Sequence, residues 1–376
     1  MTLTKIKHHL RSLRTSVIRL GFVPLIDSAP LIVAKELGLF EKRGLKIDLH
    51  REYGWAAIRD KLLLGELDGA HAAAGLSLSM TLGINSISQP MLTGLILNSN
   101  GNSLVLDTAW AERLAKSDQF FLKRIKASAQ KKKITLGVVS QTSSHYFLLA
   151  EWLRERGIDI QKDVHTVVLP PPQMAQNLRA GNIQGFCAGE PWGSVAVEEG
   201  VGQCVGVSSE IFPGQMEKVL LVSQLFENTC SEEHAKIREA LLEACAYCEN
   251  SENHSTLAEM LSPACYVHCS SELILRSLRG PFHCGKNIIR TIPQFHRFYG
   301  EDCNAPTEQK GDDLLKQFEK YQLIPGMIVN RVDLLRSIFR EDLYRESHRA
   351  FMNASLPPSS FSPSASLANG MNYQWA

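Results

Sequence analysis

The stretch Ile18-Arg19-Leu20-Gly21-Phe22-Val23-Pro24-Leu25-Ile26-Asp27-Ser28-Ala29-Pro30 decides the fold, because its first half recurs 116 residues later as Ile134-Thr135-Leu136-Gly137-Val138-Val139. A second pair keeps the same offset: Gly65-Glu66-Leu67-Asp68-Gly69 against Gly181-Asn182-Ile183-Gln184-Gly185. Two gap-free matches at one spacing indicate an internal repeat. Chance likeness of two βαβ units is the competing explanation, since the Gly-x-apolar-x-Gly turn is common. Residues 17–23 read as a strand and 30–39 as a helix with apolar residues at helical spacing. Gly44 ends that unit, 45–49 alternates as a strand, and 56–64 is a helix closed by Gly65. The second copy puts helices over 147–156 and 174–180. Strands alternating with helices predict parallel sheets, and two equivalent α/β lobes leave a ligand cleft where the carboxyl ends of their strands face each other.

Composition fits that picture. A chain of 376 residues holds two or three domains, or one core split into two lobes. Its 40 basic and 39 acidic residues nearly cancel, and 44% are hydrophobic, which excludes a chain disordered throughout and a broad polycation. Direct nucleic-acid binding, which needs a concentrated basic face, is not expected. Between Asp68 and Asp107 no Asp, Glu, Lys or Arg occurs, but Asn85-Ser86, Gln89-Pro90 and Asn98-Ser99-Asn100 cut the stretch into pieces too short for a membrane span. It is expected to be buried core, with no membrane contact. The basic start, residues 1–14, is followed by no apolar run, so export is not expected. Nine cysteines, the first at Cys187, suit reduced thiols in a cytoplasm. Cys245, Cys248, Cys265 and Cys269 approximate zinc spacing, but the first two share a helix face and read as small buried hydrophobes; neither metal nor cofactor is expected.

The loops 24–30 and 140–145 each run straight into a helix and carry capping hydroxyls. Helix N-termini offer unpaired N–H groups and a positive dipole end, so two converging on one cleft form an anion site. Plain capping would require the same residues. Asp27, Ser28, Ser143 and Ser144 are the candidates these loops supply. After Glu190-Pro191-Trp192 helix patterns dominate, as over 231–248 and 312–321, and a Ser/Pro-rich tail is expected to be disordered.

The segments 20–35, Trp55-Ala-Ala-Ile-Arg-Asp-Lys61, Leu67-Asp-Gly-Ala-His71, Pro170-Pro-Pro-Gln-Met174 and Cys187-Ala-Gly-Glu-Pro-Trp192 resemble, in order, the nitrate- and bicarbonate-binding proteins. The resemblance covers about residues 17–225 in register and runs more weakly to 345. It implies the α/β, two-lobed type II periplasmic-binding-protein fold, each lobe a mostly parallel sheet flanked by helices. It places lobe I at 16–104 and 218–350, lobe II at 105–217, an N-terminal extension at 1–15 and the disordered tail at 351–376. By position it also implies an anion held by Trp55, by an amide matched at Asn102 where relatives carry Gln, by His145, and by Lys218. Asp27, Ser28, Ser143, Ser144, Gln173 and Glu190 are supporting candidates. The bicarbonate receptors have an acidic residue at the Lys218 position that works with calcium. The ammonium here therefore favours nitrate or nitrite.

No enzymatic activity is expected. With export not expected, the resemblance points to a cytoplasmic nitrate or nitrite sensor that closes on the anion and releases an RNA-binding antiterminator partner. The alternatives are the substrate-binding component of a nitrate ABC transporter and, less favoured, an enzyme like the thiamin pyrimidine synthases, whose cluster of adjacent cysteines this chain lacks. The basic run at Lys123, Arg124, Lys126 and Lys131-Lys132-Lys133 reads as a solvated helix face, with an acidic partner as the other possibility.

Overall fold

The computed structural model describes residues 17–355, except Lys131 and Pro325. The expected N-terminal extension therefore lies outside the described residues, as does Lys131 of the basic run. Along the chain, β1 (Val17–Phe22), β2 (Lys46–Arg51), β3 (Gly69–Ala73) and β4 (Met91–Asn100) belong to a first sheet. Then β5 (Asn102–Asp107), β6 (Thr135–Val138), β7 (His165–Val168), β8 (Gly185–Gly189) and β9 (Gly202–Val207) make a second sheet in the order β7-β6-β8-β5-β9. β10 (Met216–Ser223) returns to the first sheet, and β11 (Phe282–Gly285) and β12 (Ile288–Arg290) pair as a hairpin. β13 (His296–Arg297) completes the first sheet in the order β13-β4-β10-β3-β1-β2.

The repeat survives in the hydrogen-bond register. Leu20 and Gly21 stand opposite Gly69 and Ala70, and Leu136 and Gly137 stand opposite Gly185 and Phe186, the same pairing 116 residues on. Each half is built on a parallel unit, β2-β1-β3 or β7-β6-β8, with helices in its connections. The sheets as wholes are mixed, where the sequence led us to expect mostly parallel ones. β5 runs antiparallel to β8 and β9, and β10 antiparallel to β3 and β4. These two strands enter from the opposite lobe, so no crossover helix sets their direction.

The chain passes from β4 to β5 through Asn100 and Gly101, both left-handed at φ 65° and 86°. Only glycine suits Gly101, because a Cβ there would lie 2.5 Å from His296 Nδ1. The return path is the short segment between β9 and β10. The inner strand ends of both sheets thus sit beside two narrow connections, the arrangement that allows lobes to move about a hinge.

The repeat helices lie at Ala29–Glu36, Trp55–Leu64, Ser144–Glu155 and Met174–Arg179. They start up to three residues before the expected positions because loop residues contribute the first turn. The stretch between Asp68 and Asp107 forms β3, the helix Gly75–Thr81, β4 and most of β5, largely buried. A continuous apolar core joins Trp55, Ala72, Leu104, Leu136, Phe147, Phe186 and Val219 across the two sheets. A second core packs Phe22, Phe40, Leu220 and Leu241 in the first lobe. Full burial of each such side chain contributes about 1.5–3 kcal/mol. Cys245 and Cys248 are buried on the helix Ser231–Glu249. Residues 351–355, expected in the disordered tail, are helical as the end of Glu341–Ser355; the rest of the expected tail, 356–376, lies outside the described residues. No described helix is long and apolar enough to cross a membrane.

Several contacts close the lobes on each other. Ile26 N donates to Glu190 O at 2.8 Å, and Trp192 Nε1 to Pro24 O at 2.8 Å. Lys320 reaches Glu151 at 2.9 Å while Tyr321 stacks on Phe147 with ring centroids 5.7 Å apart.

Candidate anion site

Lys218 occupies the inner end of β10, wholly buried, its backbone N–H donated to Asn98 Oδ1 at 3.2 Å. The register of β10 on β4 shifts at Met216/Lys218 and again at Lys218/Val219. Such irregularities re-aim side chains. Glu217 and Lys218, chain neighbours that a regular strand would point to opposite faces, have Oε2 and Nζ 3.5 Å apart.

The Lys218 ammonium sits 2.7 Å from Asp27 Oδ2, delivered by the 3-10 turn Ile26–Ser28. Asp27 Oδ1 meets His71 Nε2 at 2.8 Å, from β3. Burial would raise the Asp27 carboxyl, but the Lys218 charge and His71 outweigh it and hold it well below the usual carboxylate range. Burial likewise opposes the Lys218 charge, and Asp27 and Glu217 together more than restore it, leaving its pKa raised. For Glu217 burial wins over the ammonium and the Ser144 hydrogen bond, and its pKa is raised.

Trp55 is the first residue of its helix, its ring centroid 5.7 Å from Lys218 Nζ and 5.6 Å from the His71 ring. From the second lobe come Asn102 on β5 and, in the first turn of Ser144–Glu155, Ser144 and His145. Ser144 Oγ donates to Glu217 Oε2 at 2.5 Å, a bond between the lobes. Asn102 Oδ1 and Asp27 Oδ2 each lie 3.4 Å from where a Cβ on Gly189 would stand, so the glycine keeps open the point where they converge.

The decisive feature is what these groups do not bond. Trp55 Nε1, both amide atoms of Asn102, both ring nitrogens of His145, Glu217 Oε1 and Lys218 Nζ are buried without a hydrogen-bond partner, the last in ion-pair contact only. Buried polar atoms are nearly always satisfied, so this group of unsatisfied ones makes the neighbourhood of Lys218 a candidate ligand site. Trp55 Nε1, Asn102 Nδ2, one His145 N–H and the Lys218 ammonium can donate, a set that suits a small oxyanion, although Asp27 Oδ2 and Glu217 Oε1 stand beside them as acceptors. Burial and the Lys218 charge keep His145 well below the usual imidazole pKa, so it is neutral here.

Trp55, Asn102, His145 and Lys218 are therefore brought together, with Asp27 and Ser144 beside them. Ser28 and Ser143 are buried but spend their hydroxyls on Leu25 O and Ser140 O, at 2.7 Å each. Ser143 also caps its helix, whereas Ser28 makes no side-chain cap. Glu190 turns its carboxylate to Ser103, Ser194 and Ser277 and so lies outside the unpaired group. Gln173 is exposed on the turn Pro171–Gln173. The Ser144 hydroxyl is donated to Glu217 rather than to His145, so these two neighbours are not paired as nucleophile and base.

Sequence reasoning gave no role to His71, Glu217 or His296. His296 joins the site because β13 pairs with Asn100, and both its ring nitrogens are buried without a partner. Burial pushes its pKa down to about 4.

A cavity of about 390 Å³ opens at the lobe junction, lined by Gly54, Trp55, Arg59, Ser140, Thr142 and Pro170. Trp55 connects it to the buried cluster. A comparable cavity of about 410 Å³ near Phe212 and Lys310 has no such chemistry. There the ammonium is already spent on the carbonyls of Asp302, Cys303 and Ala305. No group of three or more His, Cys, Asp or Glu among the described residues is placed to hold a metal ion.

Fold and cleft define a two-lobed protein of the periplasmic-binding type. The crystal structure of the periplasmic nitrate-binding protein NrtA from Synechocystis PCC 6803 superimposes with a TM-score of 0.84, covering 92% of each chain at 24% identity. The chain belongs to the NMT1-like family, whose model matches residues 12–262. It is 36% identical over 334 residues to the nitrate import ATP-binding protein NrtC of Synechocystis, covering 88% of this chain and 49% of that one. It is 30% identical over 347 residues to the nitrate/nitrite binding protein NrtA of Synechococcus elongatus, covering 89% of this chain and 77% of the relative. It thus spans about half the length of the ATP-binding relatives it matches.

Proposed function

We propose that this chain binds nitrate or nitrite as the solute-recognising component of an ABC-type importer, and that it catalyses no reaction itself. The observation that carries the reading is a set of buried polar groups without hydrogen-bond partners, Trp55 Nε1, the Asn102 amide, the His145 ring and the Lys218 ammonium, drawn from both lobes and linked through the Asp27-Lys218-Glu217 cluster. The names of the NrtA and NrtC relatives support the choice of anion. Trp55, Asn102, His145 and Lys218 hold the anion; Asp27 and Ser144 set the positions of Lys218 and Glu217. Bridging both lobes, the anion favours the closed state, and an importer's membrane subunits read that state.

Calorimetric titration with nitrate, nitrite and bicarbonate, the last with and without calcium, tests the reading on wild type and Lys218→Glu. Nitrate or nitrite should bind wild type, and the substitution should weaken binding by about 2–5 kcal/mol. Heat from bicarbonate alone, or calcium-dependent binding to wild type, would refute it.

The other reading expected from the sequence is a sensor, which the half-length matches to ATP-binding transport proteins do not select. There the same closure makes the chain a cytoplasmic anion sensor acting on a regulatory partner instead of delivering solute. The names of the relatives given above do not support the antiterminator partner expected from the sequence. Pull-downs of the importer's ATP-binding subunit and of its membrane subunits, with and without millimolar nitrate, separate the two readings.

A further inference from the structure

We propose that Glu217 enters the anion complex as a neutral carboxyl whose Oε1 donates a hydrogen bond to the bound anion, so that the cleft takes up its anion together with a proton. The inference rests on the anion-receptor reading and deepens it.

Charge counting leads there first. Asp27 and Glu217, at 1% and 0% exposure, share the single ammonium of Lys218, 2.7 Å from one and 3.5 Å from the other. A monovalent anion adds a third negative charge to a space holding one positive charge. Repulsion between buried like charges is removed most simply by protonating one carboxylate.

Geometry selects which one. Both Asp27 oxygens are engaged, Oδ1 with His71 and Oδ2 with Lys218. Glu217 has Oε2 engaged with Ser144 and facing Lys218, while Oε1 is buried with no partner. As a carboxylate oxygen, Oε1 is a buried acceptor beside the Asn102 amide, and an anion entering next to it would meet a like charge. As a protonated oxygen it becomes one more donor among donors.

The groups around Glu217 agree. Lys218 lies on its own strand, Asp27 on the Ile26–Ser28 turn, and the Asn102 amide of β5 beside its carboxyl. Ser144 comes from the helix Ser144–Glu155, and the buried Cys187 thiol of β8 is pushed up first by burial and then by Glu217. His71, His145 and His296, the histidines of the site, are all pushed down by burial, so none competes for the proton near neutral pH. Burial raises Glu217 itself.

The test is calorimetry of the full chain with sodium nitrate and sodium nitrite over roughly pH 5.5 to 8.5, in buffers of different ionisation heat. Wild type should bind one proton per anion at the upper end, its Kd rising about tenfold per pH unit there. Glu217→Gln, which keeps a donor and cannot ionise, should match wild type at low pH, take up no proton, and hold its Kd within about twofold over the range. Its melting curve checks that it is folded, and the wild-type proton count needs no variant. A wild-type affinity that is flat with pH overturns the proposal, as does a folded Glu217→Gln that keeps the wild-type slope. Absence of binding at every pH by wild type defeats the receptor reading itself.

Discussion

Lys218 Nζ and Asp27 Oδ2 stand 2.7 Å apart with 0% and 1% of their side chains exposed. The cleft carries its own counter-charge, and an incoming anion must share the ammonium with it. Breaking a buried pair by removing one partner costs about 3–5 kcal/mol, because the remaining charge is left uncompensated. Asp27→Asn should therefore lower the melting temperature of the anion-free protein while removing the nearer of the two carboxylates that compete with nitrate for Lys218. Thermal melts should show a larger nitrate-induced rise than in wild type. An unchanged anion-free melting temperature would count against a stabilising role for the pair.

Trp55 has two separable roles, an aromatic wall 5.7 Å from the ammonium and an unpaired indole N–H. Trp55→Phe keeps the first and deletes the second. A hydrogen bond to a charged partner contributes about 1.5–3 kcal/mol, so nitrate affinity should fall by that amount in calorimetry with little change in melting temperature. A loss of stability without loss of affinity would make Trp55 a core residue only.

His71, His145 and His296 are buried with pKa values lowered, chiefly by desolvation. The unfolded chain binds protons to these rings below about pH 6.5 and the folded chain does not, so stability falls as pH drops through that value, by up to about 1.4 kcal/mol per unit for each ring. Asp27, held low when folded, adds a second loss as pH falls through the usual carboxylate range. Denaturant midpoints measured from pH 7.5 down to 4 should decline from about 6.5, and His145→Gln should flatten part of that decline.

Gly75 begins the helix Gly75–Thr81, and a Cβ on it would lie 1.7 Å from Thr142 O, a backbone atom of the opposite lobe. Gly75→Ala cannot be accommodated by a side-chain rotation. It should leave each lobe folded but hold the cleft ajar, raising the radius of gyration in solution scattering and weakening nitrate at least tenfold. A variant that closes and binds normally would show that Thr142 and its loop move freely.

The architecture was legible because duplication leaves a signal that needs no alignment. Leu20 opposite Gly69 and Leu136 opposite Gly185 are one pairing written twice. The antiparallel strands β5 and β10 were not legible as such, since strand direction depends on where the chain enters a sheet and alternation along the strand does not record it. Of the site, Trp55, Asn102, His145 and Lys218 came from a family resemblance, and the loops supplied Asp27 and Ser144. His71 was hidden in an apolar strand, where a lone His reads as core; its isolation in Gly69-Ala-His-Ala-Ala was the available signal. Glu217 was masked by its neighbour, because regular alternation would send the two side chains to opposite faces, whereas the register of β10 shifts there and Glu217 Oε2 lies 3.5 Å from Lys218 Nζ. His296 lies far along the chain, where the repeat has ended, and enters only through the two-residue strand β13.

The most direct test of the central claim is a crystal of this chain grown in saturating nitrate. The account predicts planar, three-lobed density about 3 Å from Trp55 Nε1, the Asn102 amide, a His145 ring nitrogen and Lys218 Nζ. Nitrate seated elsewhere, or a cleft in which these groups remain unpaired at saturation, would contradict it.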